Sequence, residues 1–451
     1  MSSISLPRRT FLAATALALS PLAGTPAARA QSRPTRRSAI RLRLPEPTGP
    51  CRIGTVSLHL TDRTRPDPWM PSAPHRELMI SVWYPALAPR RGQRLAPYME
   101  RGAAERFDAL EPHRIPTGTV DWAGTRTDAY HQAPADPRGG RRPVVVYSPG
   151  VGDPRSWGSL LAEELASHGY VVVTVDHTYE SPGVQFPDGS VRTNDVLFEE
   201  FARAQREGTV PALLEKTLRA RVDDARFVVN RLGTLPRGLS EVLDADRVGL
   251  AGQSGGGFTA AQTMYEDRRI RAGIDLDGTL EFNQEPNGTN LSPVAAHGLD
   301  RPFLLMGREG SDHARTEPSW AAFWSHSTGW RRDLTLHGSR HQTYTDLAAV
   351  MPQTGLGQDI VEETIGTIDP TRAVTVIRAC VTPHSSTAGC ETATTTFWTA
   401  PQRASPMSPS SGERLCHLIH MQGSVRCAGD LAWRAATAMT MTEISTMPAP
   451  T

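Results

Sequence analysis

An α/β fold, with a mostly parallel central sheet and helices on both faces, is what this sequence predicts. Three observations carry the prediction. First, Pro143–Tyr147 (PVVVY) and Tyr170–Asp176 (YVVVTVD) are continuous apolar runs of strand length, and Trp157–His168 between them has helical spacing, with Leu160, Leu161 and Leu165 on one face. Continuous apolar strands are those covered on both sides, and strand–helix–strand at this distance makes a parallel pair. Second, the strand Arg247–Ala251 (RVGLA) runs straight into a glycine-rich turn that opens a helix, Gly256 to about Asp267. Third, the alternation continues through strand Ala272–Leu276, strand Phe303–Met306, helix Pro318–Ser325 and strand Arg332–Leu336.

The remaining elements follow in order. Gly54–Leu60 and Leu78–Tyr84 read as strands, the second alternating like a half-buried one. Arg90 to Arg142 carries a weak pattern with several Pro and Gly, and residues 181–210 carry no clear element, as a loop or lid would. Pro211–Leu232 is a long amphipathic helix with Leu214, Leu218, Val222, Ala225 and Val229 on one stripe. Pro370–Ala379 reads as a last amphipathic helix.

Composition narrows the partners. The 451 residues hold 48 Lys plus Arg against 47 Asp plus Glu, a net charge of +1, with 6% aromatic residues. Neither a basic face nor a stacking platform for nucleic acid is predicted. Of the five Cys, Cys51 precedes the first strand; Cys380, Cys390, Cys416 and Cys427 lie in the last 72 residues at spacings that fit no zinc site. No cofactor and no metal are expected. Residues 1–30 read as a leader: Arg8-Arg9, an apolar run from Phe11 to Leu22 interrupted by Pro21, then Ala28-Arg29-Ala30. This is the order of a twin-arginine export signal, too short to span a bilayer, so a secreted protein is expected, with the twin-arginine machinery as partner and no transmembrane segment. Residues 31–48, rich in Arg, Pro and Ser, read as a linker before a domain at 49–379. Residues 380–451 lose all periodicity and read as a low-complexity or frameshift-like tail. Phe397-Trp398-Thr399-Ala400-Pro401 supports the frameshift: in GC-rich codons read one base earlier, the same bases encode Leu-Asp-Gly-Pro.

The chemistry is expected at strand ends. Gly252-Gln253-Ser254-Gly255-Gly256 is G-x-S-x-G between a strand and a helix, a sharp turn that lifts the Ser254 hydroxyl above the sheet; the bland alternative is a Ser N-cap on a glycine-rich helix entry. A serine hydroxyl needs a base. His341, in the loop after the strand ending at Leu336, is the best-placed histidine, ahead of His337 at the strand end. For the acid, two strand ends compete: Asp277, after the strand AGIDL, and Glu309 or Asp312, after PFLLMG. Asp275 sits a step deeper and reads as a sheet residue. An oxyanion would be held by backbone N–H groups of Gly255, at the helix start, and Val151, in the loop Pro149-Gly150-Val151-Gly152. Trp157, Phe186 and Phe258 are candidates for an apolar pocket, though plain core is the commoner fate of such residues.

These segments resemble one family, the plasma-type platelet-activating-factor acetylhydrolases (isoform II type) with their bacterial lipase and esterase relatives. The resemblance rests on Val144–Gly152, LASHGYVVVTVDH, the elbow GQSGG, the strand ending Leu276-Asp277-Gly278 and HQTYTDL at His341–Leu347, and it covers roughly residues 52–379. Departures are Pro149 and Gln253, where the family often has His. The resemblance implies an α/β-hydrolase fold and a calcium-independent serine esterase acting on short acyl groups of phospholipids or other esters. It also implies Asp277 as the acid, because the family's acid lies on the strand after the nucleophile. A cutinase-like or triglyceride-lipase-like polyester hydrolase with Asp312 as acid is the enzymatic alternative. An inactive binding module, owing to the altered C-terminus, is the non-enzymatic one.

Overall fold

The computed structural model describes residues 38–283, 285–382 and 419–422, the last four as backbone. The leader expected at 1–30, the start of the linker and nearly all of the tail lie outside the described residues. The chain begins with β1 (Ile53–Asp62) and β2 (Arg76–Pro85), an antiparallel pair, then β3 (Leu95–Pro97), α1 (Arg101–Ala109) and β4 (Arg126–His131). β5 (Arg142–Ser148), α2 (Ser159–Ser167) and β6 (Val171–Asp176) form the predicted strand–helix–strand unit. A hairpin of β7 (Gly183–Gln185) and β8 (Val191–Thr193) follows, then α3 (Asp195–Glu207), α4 (Val210–Arg231) and α5 (Arg237–Ser240). The second half runs β9 (Leu243–Gln253), α6 (Gly255–Glu266), β10 (Ile270–Leu276), α7 (Pro293–His297), β11 (Phe303–Gly307), α8 (Pro318–His326) and β12 (Arg331–Leu336). α9 (Leu347–Val350), α10 (Gln358–Ile365), α11 (Pro370–Val381) and β13 (Ile419–Gln422) close it.

One sheet takes every strand but β7 and β8, in the order β13-β12-β11-β10-β9-β5-β6-β2-β1-β4-β3. From β12 to β6 every neighbouring pair is parallel; β2 joins β6 antiparallel. This is the expected mostly parallel sheet with helices on both faces. Period-two alternation splits its side chains between two cores. Val144, Val146, Val171, Val173 and Leu250 meet α4 and α6 on one face. Val145, Tyr147, Val172, Ala251 and Ile274 meet α2 and α11 on the other.

Several expectations shift. β2 is buried almost throughout rather than on one face, because it lies inside the sheet between β6 and β1. Residues 181–210 are not a bare loop: α3 packs Leu197, Phe201 and Ala204 against α4, a stripe masked in sequence by interspersed Glu and Arg. The described end of the presumed linker is pinned, with Ile40 bridging Val120, Leu42 buried, and Thr48 N–H donating to Glu164 Oε2 at 2.9 Å. α11 ends at Val381, and Ile419–Gln422 of the tail pairs antiparallel with β12.

Glu163 on α2 is wholly buried. Its Oε1 accepts the Asp128 N–H at 2.7 Å, and its Oε2 has no partner. Burial, reinforced by Asp128, pushes its carboxyl up to about 8. The folded state therefore holds a proton that the unfolded chain releases near its ordinary value of 4.5. The stability this contributes is complete below that value and is lost as pH rises through about 8. Asp346, pushed up to about 7 by burial, acts in the same direction. The melting temperature should fall between about pH 5 and pH 8.5, and Glu163→Gln should flatten that fall while keeping the Asp128 hydrogen bond. Parallel melting curves for the two proteins across this range would refute the assignment.

Candidate active site

Strand order reverses at β5. The chain leaves β5 for β6 on one side and returns to β9 on the other. Such a reversal is where ligands of open α/β sheets bind, outside the carboxyl ends of the strands. The registers align those ends: Ser148 lies opposite Gly252, Gln253 opposite Leu276, and Leu276 opposite Met306. Ser254, Asp277 and Arg308 thus leave three adjacent strands at one level, with Val151 three residues beyond β5.

Ser254 occupies φ 56° and ψ −125°, a strained region for a residue with a side chain, costing about 1–3 kcal/mol. Its N–H donates to Leu276 O at 2.9 Å, and its carbonyl accepts from Phe258 N–H at 3.1 Å. Its side chain makes no cap to α6, so the N-cap alternative is not realised. The flanking glycines are obligatory: a Cβ on Gly256 would lie 1.9 Å from Ser148 O, and one on Gly252 would lie 2.2 Å from the Gly256 carbonyl carbon. Gly255 faces Val151, whose backbone nitrogen lies 3.6 Å from where a Gly255 Cβ would stand. The two expected oxyanion donors are therefore neighbours.

His341 opens a short 3₁₀ turn, His341–Tyr344. The residues after it anchor the loop. Thr343 Oγ1 donates to Ile365 O at 2.6 Å and Tyr344 Oη to Gly307 O at 2.5 Å, while Asp346 Oδ1 accepts the Leu160 N–H at 3.2 Å. So held, His341 Nδ1 lies 2.6 Å from Asp277 Oδ2. Asp277 is itself in the left-handed region, at φ 60°. Burial raises its carboxyl, but the His341 hydrogen bond and the Arg308 charge outweigh this and hold it below the usual range. Among the described residues no hydrogen bond joins the Ser254 hydroxyl to His341. The His341 Nε2 instead faces Gln253 Nε2 at 3.2 Å, and Gln253 Nε2 also donates to His341 O at 3.2 Å. That second bond fixes the amide nitrogen toward the histidine. A donor facing Nε2 and a carboxylate facing Nδ1 give the tautomer with its proton on Nδ1 and a lone pair on Nε2, the form that can take a proton.

The rival acids are engaged elsewhere. Asp312 Oδ1 accepts the N–H groups of Ala314 and Arg315. Glu309 pairs with His337 at 3.2 Å on the exposed rim. Asp275 is buried, held by the Gly278 N–H at 2.8 Å, with its carboxyl raised by burial. The three aromatic candidates are core residues: Trp157 meets Phe107, Phe186 meets His59, and Phe258 meets Phe282.

Sequence reasoning missed three groups here. Arg308 N–H and Nη1 both donate to Asp277, at 2.9 and 2.7 Å, and Nη1 lies 3.5 Å from His341 Nδ1. His113, in a left-handed kink, packs against Trp157 with the rings tilted at 42°, and burial with the neighbouring His341 pushes it down to about 4. Asp153 is pushed up to about 7 by burial, against the pull of His341 and Arg221. Nothing in sequence marks a lone Arg, His or Asp in a loop as a neighbour of residues 30 to 230 positions away. A separate cavity of about 140 Å³ is lined by Ser57, Ser81, Glu100, Arg155 and Asp176, without Ser254 or His341. No group of three or more His, Cys, Asp or Glu among the described residues could hold a metal ion.

The family model "Platelet-activating factor acetylhydrolase, isoform II" matches residues 107–194 and 236–382. A probable 1-alkyl-2-acetylglycerophosphocholine esterase of Arthroderma benhamiae is 28% identical over 359 residues, 75% of this chain and 86% of its own. The platelet-activating factor acetylhydrolase of Cavia porcellus is 28% identical over 228 residues, 46% of this chain and 49% of its own. Among solved structures, a ferulic acid esterase from Streptomyces cinnamoneus superposes with a TM-score of 0.61 at 36% identity, covering 75% of this chain and 90% of that one. The topology and these matches agree on an α/β-hydrolase fold and on a carboxylic ester hydrolase: the chain belongs to the platelet-activating factor acetylhydrolase isoform II family.

Proposed function

We propose that this hydrolase is an exported serine esterase that removes short acyl groups from lipid or phospholipid esters, in the manner of a 1-alkyl-2-acetylglycerophosphocholine esterase. The observation that carries the reading is the 2.6 Å contact of Asp277 Oδ2 with His341 Nδ1, at strand ends beside a strained, uncapped Ser254. Ser254 Oγ attacks the ester carbonyl as His341 Nε2 takes its proton, which requires the Gln253 amide to yield its place at Nε2. The N–H groups of Val151 and Gly255 receive the oxyanion. His341 then protonates the leaving alcohol, and water, activated by the same histidine, clears the acyl-enzyme. Asp277 keeps the imidazole in its working tautomer and stabilises its charged form.

Asp277→Asn should lower kcat by up to about 10⁴, as removal of the acid of such a triad does. Asp312→Asn should leave kcat within a few-fold. The reverse pattern would move the acid to Asp312 and favour the polyester or triglyceride lipase reading.

A second acyl class has its own support. The ferulic acid esterase is 36% identical over three quarters of this chain, so an aromatic acyl group competes with acetate. The mature chain from residue 31 should hydrolyse p-nitrophenyl acetate and butyrate faster than longer esters and faster than methyl ferulate, with all activity lost in Ser254→Ala. Preference for methyl ferulate would establish the second class. A folded protein that a serine-reactive phosphonate fails to label would favour the inactive binding module, and with it the view of residues 380–451 as a low-complexity or frameshift-like tail.

Export rests on the leader at 1–30 and the linker from 31 toward the domain at 49–379. No helix among the described residues is long and apolar enough to cross a membrane. Replacing Arg8 and Arg9 together by Lys should block export of a folded reporter fused to the leader. Export that persists would remove the twin-arginine route.

A further inference from the structure

A second serine, histidine and aspartate stand in hydrogen-bonded line beneath the site. Ser148 Oγ lies 2.8 Å from His177 Nε2, and His177 Nδ1 lies 2.8 Å from Asp224 Oδ2. All three are buried, as are Arg76 and Arg221 beside them. Arg76 donates twice to Asp224, at 3.1 and 2.7 Å, and to Asp67 at 2.8 Å. This set has the order of a catalytic relay and no access for a substrate, so its role lies in what it holds.

What it holds is the loop after β5. Arg221, on α4, has its Nε 2.5 Å from Glu180 Oε2, and Glu180 Oε1 accepts the Trp69 indole N–H at 3.0 Å. The far side of the guanidinium donates to two consecutive carbonyls: Nη1 to Pro149 O at 2.7 Å and Nη2 to Gly150 O at 3.0 Å. Nη1 also lies 3.4 Å from Ser148 Oγ. The peptide bonds here are trans. In a trans peptide the carbonyl and the next N–H point in opposite directions. An Arg221 that captures Gly150 O therefore turns the Val151 N–H away from α4, toward Gly255. Within the loop, Gly150 O also accepts the Asp153 N–H at 3.2 Å, a long turn bond that shares the hold on this carbonyl with Arg221. The loop carries Gly150 and Gly152, the second at φ +86°, and glycine lowers the cost of flipping a peptide plane. A flip would present the Gly150 carbonyl where the oxyanion must form and replace attraction by repulsion.

We infer that Arg221 is the positioning residue of the oxyanion hole: its two-carbonyl grip on Pro149 and Gly150 aims the Val151 N–H at the reacting carbonyl. Ser148, His177 and Asp224 fix the guanidinium's surroundings. The inference deepens the esterase reading and rests on it.

The test compares Arg221→Met and Arg221→Lys with Val228→Ala, a core truncation on the same helix that touches no part of the loop. The oxyanion is bound in the transition state, so Arg221→Met should lower kcat by roughly 10²–10³ with KM within about threefold. Arg221→Lys, which can reach one carbonyl, should lose less. A trifluoromethyl ketone carrying the acyl chain, whose adduct with Ser254 places an oxyanion in the hole, should lose affinity in proportion to kcat/KM across the series. Val228→Ala should lose thermal stability without these changes. A folded Arg221→Met with kcat and ketone affinity near wild type would overturn the inference, as would equal losses in Val228→Ala. Absence of any Ser254-dependent turnover in the wild type is a different result: it removes the esterase reading first and this inference with it.

Discussion

The reversal of strand order at β5 is the constraint on which the site depends. With β6 on one side of β5 and β9 on the other, the loop carrying Val151 and the turn carrying Ser254 lead on to elements on opposite sides of β5, yet they start from residues in register, Ser148 and Gly252, and stay packed together at Val151 and Gly255. That shared level cannot be adjusted locally. A one-residue slip of β9 against β5 would turn Leu250 and Ala251 to the wrong faces and empty both cores at once. The hydrophobic pattern of the strands thus sets the height at which Ser254, Asp277 and Arg308 emerge, and the chemistry inherits its geometry from packing far beneath it.

Against this rigid base the site residues sit in unfavourable backbone states. Ser254 and Asp277 both have positive φ without being glycine. Each is tied to the neighbouring strand by a backbone bond: Ser254 N–H to Leu276 O at 2.9 Å and Asp277 N–H to Met306 O at 2.8 Å. Strain of this kind persists where the surroundings over-determine the conformation. Here the sheet does so, and the strained turns hold both residues at the carboxyl ends of their strands.

How far the sequence could be read follows from the range of each signal. The parallel sheet was legible because PVVVY, YVVVTVD and RVGLA are short apolar runs, a local property. Ser254 was legible because glycines on both sides meet a steric demand within four residues. Asp277 and His341 were legible as loop residues at strand ends, though the sequence left Asp312 open, and it was the resemblance that favoured Asp277. The α3 stripe was lost among charges. Arg221 was hidden for the opposite reason: an arginine inside an amphipathic helix normally marks its wet face, and here buried Glu180 and two loop carbonyls make the interior polar enough to hold it. Arg308 and His113 matter through partners distant in sequence, which no local pattern encodes.

The anchoring of residues 45–48 has a consequence for biosynthesis. Arg378 on α11 donates to Glu46 O at 2.8 Å and to Pro45 O at 3.0 Å, a link across 332 residues in the first case, and also reaches Leu160 O at 3.3 Å on α2. A chain emerging from the ribosome exposes residue 46 long before residue 378. The seat of the N-terminal segment is therefore incomplete through most of translation and is finished by the last helix of the domain. Residues 45 and 46, which precede every strand of the sheet, thus gain this hold only after the central strands β5 to β12 have been made.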